Sequence, residues 1–213
     1  MALWLRGGFL KKVSTAAILC GGKSSRMGFD KSKIVINDKL LIEHIAERLN
    51  TVFDDIVLVT NDKNKFNTKF RVVEDVIMDC GPIGAIYTAL LNSKSQYVFV
   101  IGCDMPYVNL DYIKYLIEVI NTREVECLIT QKGGYFEPLY SFYSIDIKER
   151  LREAIDRGRF KIMDVVKDCS VLYTTDEEVE KYISNEDMFT NLNYREDLEK
   201  LKSGGIFDGC YKL

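Results

Sequence analysis

The chain has 213 residues, 47% of them hydrophobic and 29% charged, with three prolines. That balance excludes a disordered or fibrous class and is enough to bury a full core. A net charge of −3 gives no global attraction for nucleic acid or an anionic membrane, so neither is expected as a partner and any phosphate site must be local.

Residues 1–13, MALWLRGGFLKKV, carry an apolar run broken by Arg6, Gly7 and Gly8, too short to span a bilayer. Lys11 and Lys12 follow that run, the reverse of a signal peptide, and the segment is read as a poorly ordered N-terminal extension. Next come short apolar, β-branched runs at 15–19, 56–60, 71–74, 97–101 and 127–130, bounded by Gly, Asn, Asp or Pro. They read as strands buried on both faces. Between them, apolar residues return every three or four positions at 41–49, 83–91 and 110–120, which predicts helices. The alternation predicts a three-layer α/β/α Rossmann-like fold with a mostly parallel sheet and ligands at the carboxyl ends of its strands.

Beyond residue 140 the pattern loosens. An alternating run at 139–143 is followed by helices at 146–157 and around 161–167, a strand at 170–173 and a closing helix at 194–202. One domain over 14–203 is expected, with a tail at 204–213. Six cysteines without a CxxC pair signal neither zinc nor a disulfide framework and suit a reducing cytoplasm, the expected location. His44, the sole histidine, leaves histidine-rich metal sites and serine-histidine catalysis without support.

The densest signal follows the first strand. Leu19, Cys20, Gly21 and Gly22 run directly into Lys23, Arg26 and Lys31. Glycines there let main-chain N–H groups approach phosphate oxygens, and the cations add charge for a polyanion. This is not a P-loop, because Ala17 stands where its first glycine belongs, nor a GxGxxG dinucleotide fingerprint. A second signal is Asp104 in IGCDMP, a carboxylate at the end of the most apolar strand. Such a group is costly to desolvate unless paired or metal-bound, and Mg2+ takes one or two carboxylates plus substrate phosphates.

The stretch LCGGKSSRMGFDK, with Arg26, Met27, Gly28, Asp30 and Lys31 in register, resembles the LxGGxSxRMGxDK pattern of the molybdenum cofactor guanylyltransferases, members of a wider Rossmann-like nucleotidyltransferase superfamily. The resemblance covers roughly 14–202 and implies a nucleotide-binding half at about 14–106 and an acceptor-binding half at about 107–203. It implies that Leu19, Cys20 and Gly21, with Gly22, contact a guanine nucleotide and that Lys31 contacts its phosphates. Arg26 is a candidate for the β- and γ-phosphates. Asn61, after the second strand, is read as a further nucleotide contact, against a plain turn. DCGPIG resembles the family's D-x-x-GPLAG segment, with Asp79 as the acid that reads the nucleotide and Asp75 as the alternative; a helix cap is the competing reading. CDMP matches the family's CDxP, which makes Asp104 the Mg2+ ligand.

On the acceptor side, EPLYSFY resembles the family's [HQE]PLFALY strand, with Glu137 touching the acceptor or Pro138 marking an edge strand. FTNLN resembles F-x-N-x-N, with Asn191 and Asn193 as acceptor contacts; Asn193 alternatively caps the last helix. The resemblance implies GMP transfer from GTP to the terminal phosphate of molybdopterin, with Mg2+ as cofactor and pyrophosphate as product. Molybdoenzyme apoproteins or other cofactor-biosynthesis proteins are further expected partners. Two alternatives stay open: a related transferase using CTP, UTP or a sugar-phosphate acceptor, and a non-catalytic nucleotide-binding protein that delivers the cofactor.

Overall fold

In a computed structural model of the chain, the described residues are 4–5, 8–21, 31–183, 187–193, 197 and 211–212. Their strands and helices alternate in the order β1 (Trp4–Leu5), β2 (Gly8–Phe9), β3 (Lys11–Leu19), β4 (Val35–Ile36), β5 (Lys39–Leu40), α1 (Leu41–Leu49), β6 (Asp55–Thr60), β7 (Arg71–Glu74), α2 (Pro82–Leu91), β8 (Ser95–Gly102) and α3 (Leu110–Thr122). The second half adds β9 (Cys127–Lys132), β10 (Tyr135–Ser144), α4 (Lys148–Asp156), α5 (Ile162–Val166), β11 (Val171–Tyr173), α6 (Asp176–Glu180) and β12 (Tyr211–Lys212).

Seven strands form the central sheet in the order β11-β9-β10-β8-β3-β6-β7. All its neighbours pair in parallel except β10, which runs antiparallel to both β8 and β9. The continuous apolar runs have a direct cause: each strand feeds two cores. In β3, Ala16 and Ile18 face one core while Ala17 and Leu19 face the other; Ile56 and Leu58 alternate with Val57 and Val59 in β6, and Phe99 and Ile101 with Val98 and Val100 in β8. Helices α1 and α3 close the first core, and α2, α4 and α5 the second. This is the three-layer α/β/α arrangement that alternating strands and helices predict.

Two boundaries differ from the sequence reading, and a third lies outside the described residues. β3 starts at Lys11, so residues 11–13 of the expected extension belong to the sheet, with Lys11 opposite Ser95 and Val13 opposite Tyr97. The 139–143 run is a central strand, not an edge: Tyr140, Ser141, Phe142 and Tyr143 are all fully buried between β8 and β9. Pro138 is tolerated there because the β9 register shifts between Glu137 and Phe142, a bulge at which no ladder donor is required. The closing helix at 194–202 lies outside the described residues apart from Asp197.

The chain moves outward from β3 to β6 and β7 and then returns to β8 on the other side of β3. That reversal opens a crevice beyond the carboxyl ends of β3 and β8. At the opposite end of the same strands a buried charge ties three of them together. Asp55, 8% exposed, accepts two bonds from Arg71 (2.6 and 3.2 Å) and one from the Thr15 hydroxyl (3.3 Å), with Lys94 at 3.4 Å. Arg71→Met leaves this carboxylate largely uncompensated, and the expected loss is about 2–3 kcal/mol, read as a lower Tm with the circular dichroism spectrum unchanged below the transition.

Candidate functional site

The parallel ladders bring the ends of β3, β6 and β8 into one rim. The Cys20 N–H donates to the Val59 carbonyl (2.7 Å) and the Cys103 N–H to the Leu19 carbonyl (3.1 Å). Beyond that rim lies a cavity of about 730 Å³, lined among others by Leu19, Cys20, Gly21, Lys31, Asn61, Asp75, Asp79 and Asp104. Seven residues singled out from sequence thus meet in one space, together with Asp75, the alternative acid. Gly22 and Arg26, like the rest of 22–30, lie outside the described residues.

Asp104 and Lys31 form the charged centre. Asp104 sits in a tight turn closed by Met105 N–H donating to Gly102 O (3.2 Å), so the Asp-x-Pro turn and the functional position coincide. The Lys31 ammonium donates to Asp104 Oδ2 (3.0 Å) and to Asn193 Oδ1 (2.9 Å), both charged side chains being mostly shielded at 19% and 23% exposure. A Cβ at Gly102 would lie 2.7 Å from Asp104 Oδ1, so the residue before this turn must be glycine for the carboxylate to lie where it does.

The loop entering α2 holds the second acidic feature. Gly81, at the N-cap, has φ 65° and ψ −151°, a conformation open essentially only to glycine, and Pro82 follows at the first helical position. Asp79 also adopts a left-handed φ of 58° and is exposed. Asp75 is placed differently. Its N–H extends the β6–β7 pairing by donating to Thr60 O (2.8 Å), and its Oδ2 would lie 3.3 Å from a Cβ at Gly21. Asp75 Oδ1 is buried, and among the described residues no donor reaches it; the neighbouring Thr88 hydroxyl donates to Gly84 O instead (3.0 Å). Burial lifts the Asp75 carboxyl above the usual range, opposed by Thr88 and reinforced by the Glu74 carboxylate.

On the acceptor side the three expected residues separate. Asn193 reaches the site through Lys31, and Leu192 N–H donates to the Asp104 carbonyl (2.9 Å). The Asn193 N–H in turn donates to the Asp197 carboxylate (2.8 Å), so in this conformation its side chain serves Lys31. Asn191 donates to Phe189 O (3.3 Å), and neither it nor Glu137 lines the cavity. Glu137 is half-buried beside the Lys132–Asp187 pair (2.9 Å), and burial, then the Asp187 carboxylate, raises its carboxyl. Glu137 is paired with Thr130 of β9 and has no partner in the β8 ladder, which starts at Tyr140, so the edge-strand reading fails only for the second half of β10.

Whether this donor set suits Mg2+ can be tested on its chemistry. Among the described residues no three His, Cys, Asp or Glu side chains are grouped to hold an ion. One carboxylate at the cavity is the donor set of a metal shared with substrate phosphates rather than of a closed protein cage, so Asp104 fits that use. No helix among the described residues is long and apolar enough to cross a membrane.

Comparison with known proteins agrees with this geometry. Residues 16–171 match the model of the MobA-like NTP transferase domain. Molybdenum cofactor guanylyltransferase of Syntrophotalea carbinolica is 36% identical, aligned over 91% of this chain and 93% of its own. A probable molybdenum cofactor guanylyltransferase of Peptoclostridium acidaminophilum is also 36% identical, over 89% of each chain. The crystal structure of molybdopterin-guanine dinucleotide biosynthesis protein A from Archaeoglobus fulgidus superposes with a TM-score of 0.78 at 25% identity, covering 89% of this chain and 97% of that one.

The Asp75 environment has a measurable consequence for stability. Its carboxyl is raised in the folded state, so the folded protein holds that proton more tightly than the unfolded chain does. The stabilisation is complete at low pH and is lost as pH rises through the folded value. Above the folded value the carboxylate is therefore a burden, and Asp75→Asn is expected to raise Tm on that side. The gain shrinks toward about pH 4, as thermal melts across that range will show.

Proposed function

The chain belongs to the molybdenum cofactor guanylyltransferase family, with a MobA-like NTP transferase domain, and we propose on that premise that it transfers GMP from GTP to the terminal phosphate of molybdopterin. The observation that carries this reading is the convergence of Lys31, Asp104 and the orphaned Asp75 carboxylate on one cavity at the ends of β3 and β8. The terminal phosphate oxygen of the acceptor attacks the α-phosphorus of GTP, the bond to the β-bridging oxygen breaks, and pyrophosphate leaves. The nucleophile is already an anion, so no general base is required, and the protein's task is positioning and charge neutralisation.

Each residue then has a task. Lys31 exchanges its Asp104 and Asn193 partners for phosphate oxygens. Asp104 would hold Mg2+, which would supply positive charge to the phosphate oxygens. The backbone of Cys20 and Gly21 approaches the nucleotide without a side chain in the way. Arg26, from the segment next to Lys31, completes the phosphate contacts. Asp75 reads the base: a buried carboxylate lacking a donor suits the adjacent N1–H and N2–H donors of guanine, a bidentate match that uracil cannot offer. Asn61 lies at the same rim, and Asp79 at the cavity mouth. Glu137, Asn191 and Asn193 face the acceptor half, with Asn193 joining it to Lys31. The reaction is placed in the cytoplasm, with molybdoenzyme apoproteins or other cofactor-biosynthesis proteins as partners that receive the product.

Pyrophosphate release measured with each of the four nucleoside triphosphates, with and without molybdopterin, tests the reading. Release with GTP only when molybdopterin is present is expected. Release with CTP or UTP and a sugar phosphate instead identifies the related transferase, and GTP binding without release under any acceptor identifies the delivery protein. Asp104→Ala is expected to abolish Mg2+-dependent turnover, and Lys31→Ala to lower it by roughly 10²-fold, both in folded protein. Near-normal rates in either variant remove that residue from the mechanism.

The two acids are separable by titration calorimetry. Asp75→Asn should raise the GTP Kd by roughly 10–100-fold, the worth of a hydrogen bond to a charged group at about 1.5–3 kcal/mol. Asp79→Asn should leave it within about threefold. The reverse order would return the base-reading role to Asp79.

A further inference from the structure

On the opposite edge of the sheet, away from the cavity, two thiols meet under a guanidinium. β11 pairs with the start of β9, Val171 opposite Cys127, and the Glu126 and Cys127 N–H groups both donate to the Ser170 carbonyl (2.7 and 3.1 Å). This folds the turn after α5 over β9 and brings the thiol of Cys169 into hydrogen-bond contact with that of Cys127. Cys127 is fully buried, whereas Cys169 is partly exposed. Arg150, from α4, clamps the cluster: its Nη1 donates to Cys169 Sγ (3.4 Å) and to Glu126 Oε1 (2.6 Å). Glu126 Oε2 accepts the Ser170 N–H (2.8 Å).

We propose that Cys169 is a site of thiol oxidation by a peroxide, with Cys127 as the resolving thiol that closes a reversible disulfide between β9 and the α5–β11 turn.

The arrangement divides the chemistry between the two sulfurs. The Cys127 thiol donates to Cys169 and Arg150 also donates to it, which against the opposing effect of burial brings Cys169 down to about 7. The same hydrogen bond, then burial, pushes Cys127 well up. Arg150 is the cation facing Cys169, Glu126 the nearby anion, and Tyr143 of β10 and Tyr97 of β8 are titratable groups facing Cys127. A partly exposed thiol lowered by a neighbouring cation is the nucleophile, and the buried, raised thiol beside it is the resolver. Cys80 in the cavity is the opposite case, pushed up by burial and then by Asp79 and Asp75.

In the first step the Cys169 thiolate attacks one peroxide oxygen, the O–O bond breaks, and the departing oxygen takes a proton to leave as water. In the second, the Cys127 sulfur attacks the sulfenic sulfur, its proton leaves with the hydroxyl as a second water, and the S–S bond forms. Two thiols lose two electrons and one peroxide gains them. The Ser170 carbonyl is bonded to the Cys127 N–H and Val171 lies opposite Cys127, so the backbone already holds the two cysteines side by side. Cys127 opens β9 at the end of the sheet opposite the nucleotide cavity, so the crosslink adds stability and leaves phosphate chemistry alone.

The full chain treated with hydrogen peroxide and digested without reductant should yield a crosslinked Cys127–Cys169 peptide, absent from Cys169→Ser. Cys127→Ser should trap Cys169 as a sulfenic acid that dimedone labels. Arg150→Met should slow the loss of the free Cys169 thiol about tenfold near pH 7. Oxidation should raise Tm by on the order of 5 °C, reversed by dithiothreitol, with pyrophosphate release by Cys169→Ser unchanged. The proposal fails if no crosslink forms while Cys20, Cys80 or Cys103 oxidises first, or if Cys169 alkylates no faster than Cys80 between pH 6 and 9.

Discussion

The geometry of the site depends on β3 being hydrogen-bonded along both edges. With β6 on one side and β8 on the other, the end of β3 cannot move without breaking two ladders. Leu19 is the last residue shared by both, opposite Val59 on one flank and Gly102 on the other. The residues that follow each strand, Cys20-Gly21, Asn61 and Cys103-Asp104, inherit their separations from that register. A one-residue slip would turn the Leu19 side chain to the other core and lift Asp104 away from Lys31. Buried apolar surface on both faces makes such a slip costly, so the sheet core holds the phosphate site in place.

Against this rigid frame the cavity concentrates the features a fold would otherwise avoid. Asp75 has a buried oxygen without a donor, Asp79 and Gly81 occupy left-handed φ, and Gly102 leaves no space for a Cβ beside Asp104. Each costs stability in the ligand-free protein, and each makes sense if a nucleotide supplies the missing partner or needs the room. Asp55, at the other end of the same strands, is more deeply shielded and fully paired. The contrast between a fully paired carboxylate and one with a buried oxygen that lacks a donor separates the two ends of the sheet.

Much of this was legible in the sequence because the physical signals are local. Continuous β-branched runs mark strands with two buried faces, and a glycine pair or an acid placed directly after such a run lies at a carboxyl edge by construction. Where the answer depended on contacts distant along the chain, local reading ran out. Asp79 stands nearest the GPIG turn and lines the cavity as an exposed residue, while Asp75, the alternative acid, is carried inward by pairing with Thr60, a difference no local pattern shows. β10 reads as an edge strand because Pro138 cannot donate, but the bulge beside it supplies the exemption. Lys11 to Val13 look like the end of a tail until Ser95 and Tyr97 appear as their partners. Cys127 and Cys169 show no spacing motif at all, because only the β9–β11 pairing brings them together.

The Lys31–Asp104 pair also explains how an acidic protein can keep an anion site ready without paying heavily for it. Isolated, a mostly shielded ammonium or carboxylate would be costly; paired at 3.0 Å, with Asn193 satisfying a further ammonium proton, each compensates the other. On the proposed reaction, nucleotide binding would exchange partners rather than create charge: phosphate would replace carboxylate on Lys31, and a cation would replace ammonium on Asp104. The exchange releases Asn193 as well, and the segment that carries it is fastened by Leu192 to the Asp104 carbonyl. The acceptor half is thus attached to the two residues whose partners change when nucleotide arrives.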